Sequence, residues 1–242
     1  MEKNNGAAVT FQPAATKRAS EIIFEQVREM IVSGKLKPGD RLPNERSMME
    51  MFQRSRPTVR EALRMLERDG YIRTFAGSNG AVITEPGGKN MQFTMQDALR
   101  VGHISLADMR EYRLISENAA VTWACERRTD EDLAALRALL DKMADSMGDV
   151  DAYISLDPEF HRLLAAAAKN SVSLMMNRTL SSINENFMRT KFEKMTPAAV
   201  KKMIKKVQQM HERIYDAVAA RDAESARRAM EEHLIAFEND LK

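Results

Sequence analysis

The sequence predicts a mainly α protein: an N-terminal winged helix-turn-helix of three helices plus a β-hairpin wing, followed by an all-α antiparallel helical bundle. Three observations predict it. Residues 42–84 carry, in order, the signals of a helix, a turn, a second helix and a short hairpin. Beyond residue 95 no stretch sustains period-2 alternation, while capped apolar stripes of helical period recur. Between the two, Glu85-Pro86-Gly87-Gly88-Lys89 is the clearest linker signal in the chain. The expected organisation is a flexible tail over 1–17, a winged-helix domain over 18–85, a linker over 86–94 and the bundle over 95–242.

Composition narrows the class. A chain of 242 residues, 44% hydrophobic, is ordinary for one or two packed domains. The formal net charge of +2 does not mark a nucleic-acid binder, so any basic signal must be local. The single cysteine, Cys125, excludes an intramolecular disulfide and fits a reducing compartment. No apolar run approaches the ~18–20 residues of a membrane span, and no signal-peptide core is present. A cytoplasmic protein is expected. The 18 methionines read mainly as adaptable core filler.

In the N-terminal part, Ser20 is placed to cap a helix to about Gly34, with Ile22, Ile23, Val27, Met30 and Ile31 facing inward. Lys37-Pro38-Gly39-Asp40 is a turn. A short helix follows over roughly 44–52, then the turn Gln53-Arg54-Ser55. Ser55 is a good N-cap, and Pro57 falls in the first turn, where its missing N–H costs least. The second helix runs to about Asp69 and stops at Gly70. Val59, Leu63 and Leu66 point inward, while Arg56, Arg60 and Arg64 share another face. Three arginines and no acid between Arg54 and Arg60 put positive charge at the helix end that enters a major groove in a helix-turn-helix. Tyr71–Phe75 and Ala81–Thr84 read as strands joined by residues 76–80. An arginine stripe alone is usually a solvated face. Here the element order and the capped, basic helix start favour DNA.

The spelling LPNER, SRPTVREAL and LERDGYI, followed by a glycine-bearing wing, closely resembles the winged-helix domain of GntR-family bacterial transcription regulators, over about residues 18–85. That resemblance implies DNA contacts from Arg46, Arg56 and Arg60. It implies phosphate or base contacts from Ser55 and Thr58, and a wing-tip contact from Gly77.

In the bundle, Ser105 with Asp108 starts a helix reaching about Arg128, and Thr129 with Asp132 starts another ending near Gly148. A third spans about 149–168 and is expected to break or bend at Pro158, because the residue before a proline is pushed away from helical geometry. A fourth covers about 171–194, a fifth starts at Thr196-Pro197 and reaches about Ala220, and the last ends near Leu241. Six or seven bundle helices are expected.

Three of the four histidines lie on inward stripes of three different helices. His161 stands one turn from Asp157, His211 falls among Val207, Ile214 and Val218, and His233 among Ala226, Met230 and Phe237. A single core histidine is usually structural. Three with one carboxylate are a standard set for zinc, nickel or another first-row divalent ion. Arg113 lies on the inward stripe of Leu106, Met109 and Ala120, with Glu117 one turn on as a ready ion-pair partner. His103 stands outside these patterns.

LDPEFH, HERIYDAVAARD and ARRAMEEHL resemble the FCD-type ligand-binding domain of the FadR-like subgroup, over about residues 95–240. The resemblance implies a divalent metal, zinc first with nickel or manganese as alternatives, held by Asp157, His161, His211 and His233. It implies a small organic acid beside it, with Arg113 as an effector contact through a bidentate carboxylate pair.

The expected function is therefore a ligand-responsive, homodimeric transcription regulator. It would repress from a near-palindromic double-stranded operator and be released by a small carboxylate or sugar acid, with no membrane partner. The alternatives are a metal-dependent enzyme with a DNA-binding appendage, or a metal sensor. No HExxH or ExxH pair supports the enzyme.

Overall fold

The computed structural model describes residues 17–75, 80–84 and 88–236. The expectations for the tail, for Gly77 and most of the wing turn, for residues 85–87 and for the last turn of the final helix lie outside these residues. The chain divides into two compact units, 1–87 and 88–242.

In the first unit, α1 (Ala19–Val32), α2 (Glu45–Phe52) and α3 (Arg56–Arg68) precede β1 (Ile72–Thr74) and β2 (Ala81–Ile83). Ile23, Val27 and Ile31 of α1 repeat at i, i+4 and i+8 and are buried against α3. The helix starts earlier than Ser20. Glu21 accepts the backbone N–H of Arg18 at 2.9 Å, which closes the N-terminus there and leaves Ser20 buried inside the first turn. Asn44 caps α2 by accepting from the Ser47 N–H at 2.9 Å. Gln53 ends it in the left-handed conformation, φ 51°.

Ser55 precedes α3 with extended backbone, but its hydroxyl pairs with that of Thr58 at 2.9 Å instead of capping an N–H. Val59, Ala62 and Leu66 are fully buried, and Leu63 is only partly so. The inward stripe is therefore shifted toward Ala62. The strands pair antiparallel, Ile72 with Ile83 and Thr74 with Ala81. The segment read as a turn does more than reverse the chain. Leu42 donates its N–H to Ala81 at 2.8 Å, and Asp40 accepts from Ile83 at 2.8 Å, so residues 39–42 pair along the outer edge of β2.

The second unit contains α4 (Gly88–Arg100), α5 (Leu106–Arg127), α6 (Asp130–Asp145), α7 (Val150–Ala167), α8 (Ser171–Glu193), α9 (Pro197–Ala219) and α10 (Ala223–Ala236). Ser105 with Asp108 and Thr129 with Asp132 form reciprocal capping boxes. Asp149, Asn170 and Thr196 cap α7, α8 and α9 with their side chains. The helix α5 packs on both α7 and α10, α9 on α10 and α6, and α8 on α7. The core they share includes Val121, Leu136, Leu140, Phe160, Leu164, Val207, Ile214 and Met230.

Two expectations need correction. Residues 88–94, read as linker, are helical. They open α4, whose Met95 and Leu99 pack against Leu180 and Ile183 of α8. The helix α7 runs unbroken through Pro158. Proline removes one bond, to the carbonyl four residues back. Burial of Tyr153, Ile154, Asp157, Phe160, His161 and Leu164 along one face outweighs that loss.

Gly80 has φ 137°, and a Cβ there would stand 2.8 Å from the Leu42 carbonyl oxygen. Gly39, φ 94°, has open space around its Cα. Gly80→Ala is expected to destabilise the first unit by about 1–3 kcal/mol, and Gly39→Ala by less. Urea unfolding of the full chain, followed by the loss of α-helical ellipticity, measures both.

Candidate functional site

Asp157 and His161 stand one turn apart on α7, His211 comes from α9 and His233 from α10. All four are at most 2% exposed. One donor atom from each can be chosen so that all lie within 4.8 Å of one another. His161 Nε2 is 3.1 Å from His233 Nε2 and 3.9 Å from Asp157 Oδ2, and His211 Nε2 is 3.4 Å from Asp157 Oδ1. Ligands bound at ~2.0–2.2 Å to one ion stand roughly 3–4 Å apart. The spacing fits.

The hydrogen bonding points the same way. Asp157 Oδ1 and both ring nitrogens of His211 are buried without a hydrogen-bond partner. Polar atoms left so cost stability unless something else satisfies them. A divalent ion would do so, and three imidazoles with one carboxylate suit a first-row metal. Burial holds the imidazoles of His211 and His233 below their ordinary pKa, in the neutral form that ligates. Burial opposes ionisation of Asp157, but the imidazoles facing it keep its carboxyl well below the usual range.

Glu117 does more than pair with Arg113. It is buried, with Oε1 accepting from Arg113 Nε at 3.2 Å and Oε2 2.9 Å from His161 Nδ1. Arg113 Nη2 lies 3.2 Å from His161 Nε2. A guanidinium only donates, so Nε2 presents its lone pair and Nδ1 carries the proton that Glu117 accepts. Burial would raise the Glu117 carboxyl, yet His161 and Arg113 together bring it down to about 2. This is the carboxylate–histidine arrangement that orients a metal-ligating imidazole. The signal available in sequence was the burial of position 117 on the α5 stripe; its contact with α7 was not readable.

A pocket opens beside the cluster. Asp157, His233 and Arg113 line its inner end, Arg110 and Asn184 add polar groups, and Met109, Ile183 and Phe187 form an apolar wall. The Arg110 guanidinium rests over the Phe187 ring, 4.8 Å from its centre. Arg110 lies one turn before Arg113 and could have been found by spacing. Asn184 and Phe187 come from α8, and only packing brings them here.

In the first unit the six residues expected at DNA are partly gathered. Arg56 and Arg60 converge on one carboxylate: Arg56 Nε is 3.3 Å from Glu45 Oε2, and Arg60 Nε is 2.9 Å from Glu45 Oε1. Arg46 pairs with Glu50 at 3.3 Å. Ser55 and Thr58 lie at the exposed start of α3, bonded to each other. Arg46 and Arg56 line one concavity with Asn44, Thr74, Phe75 and Gly80 of the wing side. Gly77 lies outside the described residues. Glu45 was not singled out by sequence; its acidic character at an N-terminal helical position concealed that it serves two arginines of the next helix.

The chain matches the gntR family of bacterial regulatory proteins over residues 19–82 and the FCD domain over residues 108–236. It is 30% identical to the HTH-type transcriptional repressor NanR of Cronobacter sakazakii over 237 residues, covering 95% of this chain and 87% of that protein. Identity to NanR of Salmonella typhimurium is 29%, over 95% of this chain and 86% of the relative. Among solved structures, Streptococcus agalactiae GntR superposes with a TM-score of 0.67 at 22% identity, covering 91% of this chain and 99% of that one. E. coli McbR/YncC gives 0.50 at 20% identity, over 94% and 100% of the two chains. Among the described residues no helix is long and apolar enough to cross a membrane. A winged helix-turn-helix with a basic α3 and a helical domain of FCD type identify the chain as a member of the GntR family, a DNA-binding transcriptional regulator.

Proposed function

We propose that the protein is a homodimeric repressor that leaves a near-palindromic operator when a small carboxylate or sugar acid enters a metal-containing pocket in the bundle. The observation that carries this is the Arg113–Glu117–His161 chain. It joins a guanidinium at the pocket to the buried Asp157, His161, His211 and His233 cluster. Those four residues would hold a divalent ion, zinc before nickel or manganese, and the ion would supply a fixed positive charge at the pocket's inner end. Arg113 offers the acid a planar, bidentate partner. The relatives named as repressors support the sign of regulation.

In the first unit, Arg46, Arg56 and Arg60 would meet the major groove, with Ser55 and Thr58 on phosphate or base edges and Gly77 at the wing tip. Two copies would present two α3 helices to the two halves of the operator. The acid acts only if it binds the DNA-competent and released arrangements with different affinity.

Selection of bound genomic fragments at two salt concentrations is expected to recover a short near-palindrome that survives the higher salt. Arg60→Ala is then expected to cost ~1–3 kcal/mol on that site and much less on random duplex, measured by fluorescence anisotropy. Equal losses on both would reduce the arginine helix to an electrostatic contact. Chelation followed by dialysis is expected to lower the melting temperature of the wild type, with zinc restoring it. His211→Ala should neither retain metal by elemental analysis nor respond to zinc. A variant lacking all three histidines that still answers the acid normally would remove the metal from the mechanism. Arg113→Ala is expected to weaken release by the acid by about tenfold or more, leaving operator affinity without acid unchanged.

A further inference from the structure

A second guanidinium lines the pocket beside the buried cluster. Arg110 stands one turn before Arg113 on α5, and both face the cavity. Exposure along this face of α5 falls from 44% at Leu106 to 5% at Glu117. The cavity therefore runs inward past Arg110, then Arg113, toward Asp157 and His233. Arg113 is engaged at the deep end, with Glu117 and His161 each at 3.2 Å. Arg110 instead rests on the Phe187 ring, 4.8 Å from its centre, and pairs with no carboxylate among the described residues. A ring contact fixes where a guanidinium sits without taking its N–H donors, which stay open to the cavity. Asn184, one turn before Phe187 on α8, adds an amide to the same wall.

Charge and size then select the ligand. Asp157 and Glu117 are ionised and balance Arg110 and Arg113. The imidazoles that would ligate a metal do so in the neutral form. A divalent ion in the cluster would leave the region with two positive charges in excess, which a dianion cancels and a monoacid does not. The enclosed part of the pocket is about 50 Å³. At about 10–15 Å³ for each water-sized site, it has room for a short chain and not for a sugar ring with its hydroxyls. Arg110 and Arg113 are offset by roughly 4.5 Å along the helix axis, a span that the two ends of a short diacid can bridge. A carboxylate also matches the planar fork that each arginine offers.

We infer, on the reading of this pocket as the acid site, that Arg110 with Asn184 beside it determines specificity, and that the effector is a short dicarboxylate with one carboxylate at the Arg113 end and the other on Arg110. Arg113 and the cluster would hold any acid; Arg110 discriminates between acids by whether a second anionic group reaches it.

Isothermal titration calorimetry on the zinc-loaded full chain tests this with succinate and butanoate, which share a chain length and differ by one carboxylate. Wild type is expected to bind succinate about tenfold or more tighter than butanoate. Arg110→Ala should weaken succinate by about tenfold and butanoate by less than about twofold. Arg110→Lys, which keeps the charge, should retain a preference for succinate. Melting temperatures without acid are expected to match the wild type, which separates loss of the contact from loss of the fold. Equal affinity of the wild type for both acids would overturn the inference and leave the acid site standing. Equal weakening of both acids by Arg110→Ala would also overturn it, reducing Arg110 to a wall of the pocket. Glucuronate bound where succinate is not would overturn the dicarboxylate and keep the acid site. Binding of none of the three would overturn the acid site and the inference together.

Discussion

The Glu117 carboxylate governs the chemistry of the bundle core. It is buried and accepts from both Arg113 and His161, and those two partners hold it ionised against the cost of burial. The carboxylate accepts from His161 Nδ1 while the Arg113 guanidinium donates to Nε2, so both contacts favour the same tautomer. In it, Nδ1 keeps the proton and the Nε2 lone pair faces His233, Asp157 and the guanidinium. One carboxylate on α5 thus joins a histidine on α7 to an arginine at the pocket and, with that arginine, sets the tautomer of the histidine.

That arrangement needs helices that do not slide. Each bundle helix from α5 to α9 begins with a side-chain cap, which fixes where its first turn starts and so the phase of every inward residue after it. The apolar layers around the cluster, Phe160 beside His211 with ring centres 4.3 Å apart and Leu164 beyond, exclude water. Exclusion of water keeps His211 and His233 neutral and leaves the unpartnered atoms of Asp157 and His211 costly. Pro158 is tolerated within α7 because Tyr153, Ile154, Asp157, Phe160, His161 and Leu164 bury one side of the helix before and after it.

The winged unit uses a comparable device in a more exposed setting. Glu45, on the first turn of α2, draws Arg56 and Arg60 of α3 together. Exposed pairs of this kind add little to stability. Their consequence is orientation, since both guanidinium groups are held at the start of α3, beside the concavity that Arg46 and Thr74 also line. The edge pairing of residues 39–42 with β2 ties the hairpin to the segment before α2.

The sequence by itself determined much of this protein. Period, caps and breakers located the winged helix-turn-helix and the bundle helices from Ser105 onward, because these signals are local and act within one or two turns. Residue type and stripe position nominated Asp157, His161, His211 and His233, which the fold does bring together. Three matters were decided only in three dimensions. The helix α4 forms where glycines suggested a linker, because Met95 and Leu99 find an apolar seat on α8. The helix α7 passes through Pro158 unbroken, because burial along its length exceeds one lost hydrogen bond. The roles of Glu117, Glu45, Asn184 and Phe187 depend on neighbours 15 to 75 or so residues away in the chain, for example Arg60 15 residues from Glu45 and His161 44 from Glu117. Local periodicity states which way a side chain faces. What it meets there is set by the packing of other helices, and that information is spread over the whole chain.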